Sequence, residues 1–458
     1  MYLNNGTNTG TVDFVFGNNQ FRPNPQNGLT VADVSDRSPS DLIPSGRLEM
    51  FADDYMNPRF WRSSLGLDQE LPGGFIGTLE AQYTNTLKNV LVKNINLRPA
   101  NERLDGPDNR PIWAPSEYGR GESEYSEAGD QRIDTRYSSI QRVGNTDRGY
   151  AYTLTARLRN TFEGVTTDNS TLSVDASYNY NDSYSVNDGL SSQVVSLWNG
   201  IEHVNGANNI GLARSDFSTG HRILGRLTYQ QQFLDNIAAT VSLIYEGQSG
   251  PPVSYVIDNS AQMVREQGES RSLFYVPRTA SALTFSPTEV QGLEITPEQQ
   301  AAAVEEFIQG NDYLSQRRGD YTERNGDRTP WESVVDLNIQ VEVFQELLGR
   351  RQSVELTADI FNFSSLVGDL VGQDQWGERF FGAGAVNLTR FQEFENPDDG
   401  NYTPEYTAQI IDVADTDGDG TADEFRGAIG QSEVFNEIRT GSTYSSQWQM
   451  QLGVRYTF

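Results

Sequence analysis

Nine residues near the end of the chain carry the pattern best suited to chemistry. Asp415-Thr416-Asp417-Gly418-Asp419-Gly420-Thr421-Ala422-Asp423 sets carboxylates at its first, third, fifth and ninth positions. Glycine stands at the sixth position and Thr421 offers a backbone carbonyl at the seventh. Hard oxygen ligands at this spacing, around a glycine that permits a sharp turn, suit Ca²⁺. The glutamate that completes such loops at the twelfth position is missing, because Arg426 stands there; Glu424 or Asp412 would have to substitute. The candidate ligands are therefore Asp415, Asp417, Asp419, Thr421 and Asp423, with Ca²⁺ as a structural ion. A plain acidic turn is the other reading.

Other chemistry is sparse. His203 and His221 are the only histidines, 18 residues apart, with no cysteine and no paired-histidine motif beside them. That spacing offers neither a zinc site nor a Ser-His-Asp arrangement, so we assign no catalytic residue and expect no enzyme. The pair Glu305-Glu306 reads as solvated surface. It falls on a segment that predicts a short helix: Thr296 caps it, Pro297 occupies the first turn, Gln299 closes a capping box and Gly310 stops it. This helix is expected to pack on the mouth of a larger β structure.

The elements that must position these groups are strands. From Gln447 to Phe458 every second residue is apolar: Trp448, Met450, Leu452, Val454, Tyr456 and Phe458 alternate with Gln447, Gln449, Gln451, Gly453, Arg455 and Thr457. Such alternation marks a strand with one apolar and one wet face. Its ~12 residues suffice for the ~9–11 that a tilted strand needs to cross a bilayer. The same period recurs at Arg59–Glu70, Phe75–Thr84, Tyr152–Arg159, Leu172–Asn181, Arg222–Tyr229, Ile237–Glu246, Val335–Val343 and Val354–Ile360, making nine strands with the last. Short links (Pro72-Gly73-Gly74, Glu163–Ser170, Leu234-Asp235-Asn236, Glu346–Gln352) alternate with long polar ones at roughly 96–147, 188–215, 257–330 and 365–443. Outer-membrane barrels combine short periplasmic turns with long external loops in this way, whereas soluble sandwiches rarely carry such loops on one side only. The terminal strand ending on aromatic residues resembles the assembly signal of those barrels, with Trp448, Tyr456 and Phe458 as its markers. Inward Arg157, Arg159, Arg222, Arg226 and Arg455 are expected to meet Asp175, Glu342, Glu355 and Asp359 across strands and keep the lumen wall polar.

Composition sets outer bounds. No run of 18 apolar residues exists, so no membrane helix is expected. Mean hydropathy is −0.58, which a barrel tolerates because its signal lies in alternation. There are 21 Tyr and 22 Phe, enough for aromatic girdles at both membrane interfaces. A net charge of −29 argues against nucleic acid, whose phosphates it would repel.

One block is more specific. Tyr313-Leu314, Arg317-Arg318-Gly319, Tyr321, Glu323-Arg324-Asn325, Pro330-Trp331 and Asp336 resemble a signature leading into a late strand of Oar-like TonB-dependent receptors. Val354–Phe363 resembles the next strand of that family and Trp448–Phe458 its last; Leu71-Pro72-Gly73-Gly74 with Gly77–Ala81 is similar to an earlier hairpin. The resemblance runs from residue 57 to the end. It implies an all-β fold in which residues 57–458 are the C-terminal section, about nine strands, of a 22-stranded antiparallel transmembrane barrel with long extracellular loops. Residues 1–56 would be an extracellular loop segment, with Thr11–Phe16 a loop hairpin.

The resemblance also implies a function: a transporter in the outer membrane of a Gram-negative bacterium, moving a bulky ligand. Its partners would be lipid, the barrel assembly machinery, an upstream plug and the TonB complex; the family's plug and TonB-box motifs do not map onto this chain. Met1–Gly17 lacks a basic start and an apolar run, so it does not read as a signal peptide. Nine strands is also an odd number for a bacterial single-chain barrel. Both features lead us to expect further sequence upstream. The rival reading is a passive porin or a surface-binding adhesin barrel. A soluble sandwich hydrolase would need a nucleophile–base pair that the sequence does not offer.

Overall fold

A computed structural model describes residues 46–113, 131–134, 136–234, 236–266, 271–347, 350–372, 376–377, 384–431, 434 and 446–458. The Thr11–Phe16 hairpin and most of the 1–56 segment lie outside these residues. The chain is mostly β, and no helix among the described residues is long and apolar enough to cross a membrane.

Nine long strands form one antiparallel meander: β1 (Arg59–Leu71), β2 (Phe75–Asn94), β3 (Gly149–Glu163), β4 (Ser170–Ser185), β5 (Gly220–Leu234), β6 (Ile237–Gln248), β7 (Glu332–Leu347), β8 (Arg350–Phe361) and β9 (Gln449–Thr457). Each pairs with its neighbour in sequence order. These are the nine segments whose alternation announces them, although β9 is shorter than its sequence pattern, with Trp448 and Phe458 just outside it. The tight β1–β2 turn works because Gly73 and Gly74 take φ of 80° and 79°, a region open to glycine. Asn160 of β3 donates from Nδ2 to the Gly73 carbonyl and ties this turn to the sheet.

Register decides what each face presents. Phe162, Leu172, Tyr229, Val241, Ile339, Ala358 and Leu452 stand opposite one another in a row from β3 to β9. Leu67, Leu79, Ala156, Tyr178 and Ile223 form a second row from β1 to β5. Leu65, Leu67, Leu79, Leu154, Leu227, Leu356, Leu452 and Val454 on this face are exposed. The opposite face carries Thr228, Ser242, Asn338, Asp359 and Gln451 in one row. Because side chains alternate with period two, a slip of one residue at any ladder would interrupt every row that crosses it.

Among the described residues the meander does not close. β1 pairs only with β2, and β9 only with β8.

The protein's buried core lies elsewhere. The expectation that the long links are simply polar loops is corrected here: they build a folded layer at the end of the meander opposite the tight turns. Its five-stranded sheet takes Thr284–Phe285, Asn401–Ala408, Gly384–Asn396, Pro252–Asp258 and Asp327–Arg328 in that order. Two of its pairings are parallel, so the β structure as a whole is mixed rather than purely antiparallel. The strand Gly46–Phe51, from the segment assigned to residues 1–56, also pairs in parallel with Tyr137–Thr146 in this region. Val253, Tyr255, Ile257, Phe274, Ile308, Leu388 and Phe391 belong to one buried cluster with Trp113 and Trp198. Pro252-Val253-Ser254-Tyr255-Val256-Ile257 is buried at every position, which is why alternation cannot reveal it: a strand covered on both faces reads as a continuous run.

The helix Pro297–Gly310 forms as its caps predict. Gln299 N–H donates to Thr296 Oγ1 at 3.3 Å and Thr296 N–H donates to Gln299 Oε1 at 2.9 Å. Gly310 is its last helical residue and Asn311 its C-terminal cap. Ala303, Val304, Phe307 and Ile308 bury its inner face in the core of the loop-end layer.

Candidate functional site

The Asp415–Asp423 segment is the tip of a hairpin whose arms are Ile411–Ala414 and Glu424–Ala428. Carboxylate oxygens of Asp415, Asp417 and Asp419 lie within 4.8 Å of one another. Backbone donors shape the tip: Gly418 N–H and Gly420 N–H give to the two oxygens of Asp415 at 2.7 and 2.8 Å. Asp419 N–H gives to Asp417 at 3.2 Å and Thr421 N–H to Asp419 at 2.8 Å. The Gly420 and Gly418 donors hold the Asp415 carboxyl below the usual carboxylate range. The turn is therefore fixed by its own hydrogen bonds, with Gly420 at φ 93°.

Of the four sequence-assigned aspartates, Asp415, Asp417 and Asp419 make up that cluster and Asp423 is not among them. Asp423 accepts from Thr416 N–H at 3.2 Å and from Thr416 Oγ1 at 2.6 Å, closing the hairpin. Thr421 packs its methyl group toward Gly292, and the next residue donates from Ala422 N–H to the Gln291 carbonyl at 2.8 Å. The suggested substitutes are also engaged: Glu424 lies 3.5 Å from Arg426, and Asp412 stands in the hairpin ladder opposite Gly427. The carboxylate cluster thus holds three of the four assigned aspartates.

On the polar face of the meander the expected cross-strand pairs form in part. Arg157 binds Asp175 with both nitrogens of its fork, Nε at 2.9 Å from Oδ1. Asp175 also stands opposite Arg159 on one side and Arg226 on the other. Arg455 lies 3.4 Å from Glu355. The remaining partners differ from expectation. Arg222 binds Glu246, with Nε 3.0 Å from Oε1. Glu342 stands opposite Glu355, a like-charged pair, and Gln340 Nε2 donates to Glu355 at 2.6 Å. Asp359 takes Asn338 Nδ2 at 2.5 Å rather than an arginine.

The Tyr313–Asp336 block binds the loop-end layer to the meander. Arg318 grips Glu305 with two nitrogens at 2.8 and 2.7 Å, which corrects the reading of Glu305 as merely solvated. The Arg318 guanidinium, helped by Gln309 and the Ala280 N–H, holds the Glu305 carboxyl down at about 2. Glu306 accepts from Ala428 N–H at 3.2 Å. Tyr321 reaches the Asp108 carbonyl, and Arg110, fully buried, pairs with Asp108 at 2.7 Å beneath the Tyr321 ring. Burial beside Asp108 pushes the Tyr321 hydroxyl up. Arg328 gives to the Ser218 carbonyl at 2.9 Å, and desolvation lowers it from the usual arginine value. Asp336 accepts from Asn362 N–H at 2.7 Å at the top of β7. These contacts are structural ties, and none forms a nucleophile–base pair.

The histidines separate. His203 is buried, with Nε2 3.2 Å from Glu266 and Nδ1 2.8 Å from the Ile201 carbonyl. Glu266 in turn accepts from Ala207 N–H at 2.9 Å. This pair is invisible to spacing, since its members are far apart in sequence. His221 Nδ1 lies 2.6 Å from the Tyr178 hydroxyl on β4, with the Tyr180 ring 4.6 Å away.

Trp448, just before β9, and Tyr456 and Phe458 at its far end are all exposed. The Tyr456 and Phe458 rings stack at 5.8 Å, and Tyr456 donates to Gln352 Oε1 at 2.8 Å. Comparison of the chain with protein-family models, with curated proteins and with solved structures returns no match.

Proposed function

We propose that residues 57–458 are the C-terminal section of an outer-membrane β-barrel resembling Oar-like TonB-dependent receptors, and that the whole protein moves a bulky ligand across that membrane. One observation carries the reading: apolar side chains lie in register across the nine meander strands on an exposed face, while the compact core belongs to the loop-end layer. In water, so large an exposed apolar face calls for a cover. In a bilayer, hydrocarbon supplies it, and the polar opposite face lines the lumen. The edges of β1 and β9 would pair with further strands, because lipid cannot satisfy open backbone groups.

The second reading, a passive porin or surface-binding barrel, draws on the folded layer at the long-loop end, which offers a shaped external surface. Energy coupling separates the two. Collapse of the proton gradient would stop TonB-driven movement and leave passive flux or surface binding intact.

The membrane assignment is tested by labelling. The chain has no cysteine, so single cysteines at Leu356 and Thr357 report each face cleanly. In outer-membrane preparations, Leu356→Cys should react with a lipid-soluble maleimide and Thr357→Cys with a water-soluble one. Reaction of both with the water-soluble reagent alone would overturn the reading.

A further inference from the structure

The helix Phe363–Val371 leaves the loop end of β8 and packs along β7. Asn362 caps it, its Oδ1 accepting from Ser365 N–H at 3.3 Å, and Gly372 stops it at φ 70°. Its sequence is two-sided. At about 100° per residue, Phe363, Leu366, Val367, Leu370 and Val371 fall within an arc of about 140°. Ser365 and Gly368 stand on the opposite side of the helix. A surface helix of a soluble protein turns such an apolar stripe toward the core. This one does the reverse: Ser365 and Gly368 are the residues it buries, whereas Leu370 is 77% and Val371 57% exposed. Asp369 is its only charge.

The position of the helix identifies what covers the stripe. The exposed apolar face of the meander runs up β8 and β9 to Ile360 and Met450, which stand opposite one another only three residues before the helix begins. Of the six tryptophans, Trp113 and Trp198 are in the core of the loop-end layer and the other four are exposed. All four stand at the loop end of the meander: Trp61 near the start of β1, Trp331 just before β7, Trp448 just before β9 and Trp376 shortly after the helix. Indole rings favour the level at which the hydrocarbon of a bilayer meets its headgroups. Amphipathic helices lie flat at that level with their apolar side in the acyl boundary. The helix carries no Lys or Arg to pair with an anionic headgroup, so hydrocarbon is the partner its stripe fits. We propose that the helix Phe363–Val371 anchors the loop end in the membrane interface, with Leu366, Leu370 and Val371 among lipid acyl chains. The anchor rests on the membrane reading and adds to it a lipid contact made outside the strands.

The chain has no cysteine, so Leu370→Cys, Asp369→Cys and Leu356→Cys can each carry one maleimide-linked fluorescent dye. In outer-membrane preparations a nitroxide-bearing stearate quenches dyes among acyl chains, and iodide quenches dyes in water. The stearate should quench the dye at Leu370→Cys at least twofold more than that at Asp369→Cys, and iodide should show the opposite order. Leu356→Cys, on β8, reports the membrane reading itself. Stearate quenching at Leu356→Cys without quenching at Leu370→Cys would overturn the anchor and leave that reading standing; quenching at neither would overturn both. Protection of Leu370→Cys from both quenchers would assign the stripe to a protein partner. Oxidation of unlabelled Leu370→Cys to a disulfide-linked dimer would assign it to a second copy of the chain. Either result would also overturn the proposal.

Discussion

Leu452 of β9 stands directly opposite Ala358 of β8 and is 73% exposed, whereas its neighbour Gln451 stands opposite Asp359 on the other face. On the proposed membrane reading, these adjacent residues of one strand would meet two different solvents. Leu452→Arg would place a charge in the apolar band, at a cost of about 2–4 kcal/mol near the bilayer midplane. Gln451→Arg would put the same charge beside Asp359 and should cost far less. Urea unfolding in lipid, followed by heat-modifiable migration, measures both. Equal destabilisation would refute the assignment of faces.

Phe458 stacks on Tyr456 just beyond the last ladder position of β9. If these rings mark the strand for assembly, deletion of Phe458 should lower the amount of folded protein in the outer membrane severalfold. Stability of the protein already inserted should change little. Unaltered outer-membrane levels would remove the assembly role.

For the hairpin tip, Ca²⁺ held between Asp415, Asp417 and Asp419 would stabilise the turn by mass action, about 2.7 kcal/mol at 100 times the dissociation constant. External calcium sites commonly bind at roughly 10⁻⁴–10⁻³ M, and a cluster of three carboxylates belongs at the weak end. Protease cleavage of this tip in intact cells should slow in millimolar Ca²⁺ and recover in chelator. Asp417→Ala with Asp419→Ala should abolish the difference without affecting insertion. Identical cleavage in Ca²⁺ and chelator would leave only an acidic turn.

The Arg318–Glu305 pair predicts a pH dependence of the loop-end layer. Glu305 is held at about 2 in the folded protein, below its ordinary value of 4.5. A depressed folded value means that its contribution is complete above the unfolded value and is lost as pH falls from about 4.5 toward 2. With solvent screening at this partly exposed pair, the loss is on the order of 1–2 kcal/mol. Hydrogen exchange of the helix Pro297–Gly310 should therefore accelerate across that window. Glu305→Gln should flatten this component of the profile; an unchanged profile would assign the acid sensitivity to other groups.

The nine meander strands were legible because alternation is a local property: each needs only its own residues to declare two faces. The same holds for the helix at Pro297, whose Thr296 and Gln299 caps act over three residues. The carboxylate spacing from Asp415 to Asp419 was legible for the same reason, and the sequence alone was enough to bring those three together. Asp423 is not in that group; its carboxylate accepts from the hydroxyl of Thr416, seven residues back at the other side of the turn.

What only the tertiary structure decided was long-range. Strands such as Pro252–Asp258 are buried on both faces, so their pattern is continuous and carries no direction. The core that unites the long links joins groups as distant as Arg110 and the Leu273 carbonyl, 163 residues apart. Period and capping are written residue by residue, whereas burial of a cation or the partner of an acid depends on which distant segments the fold brings alongside it.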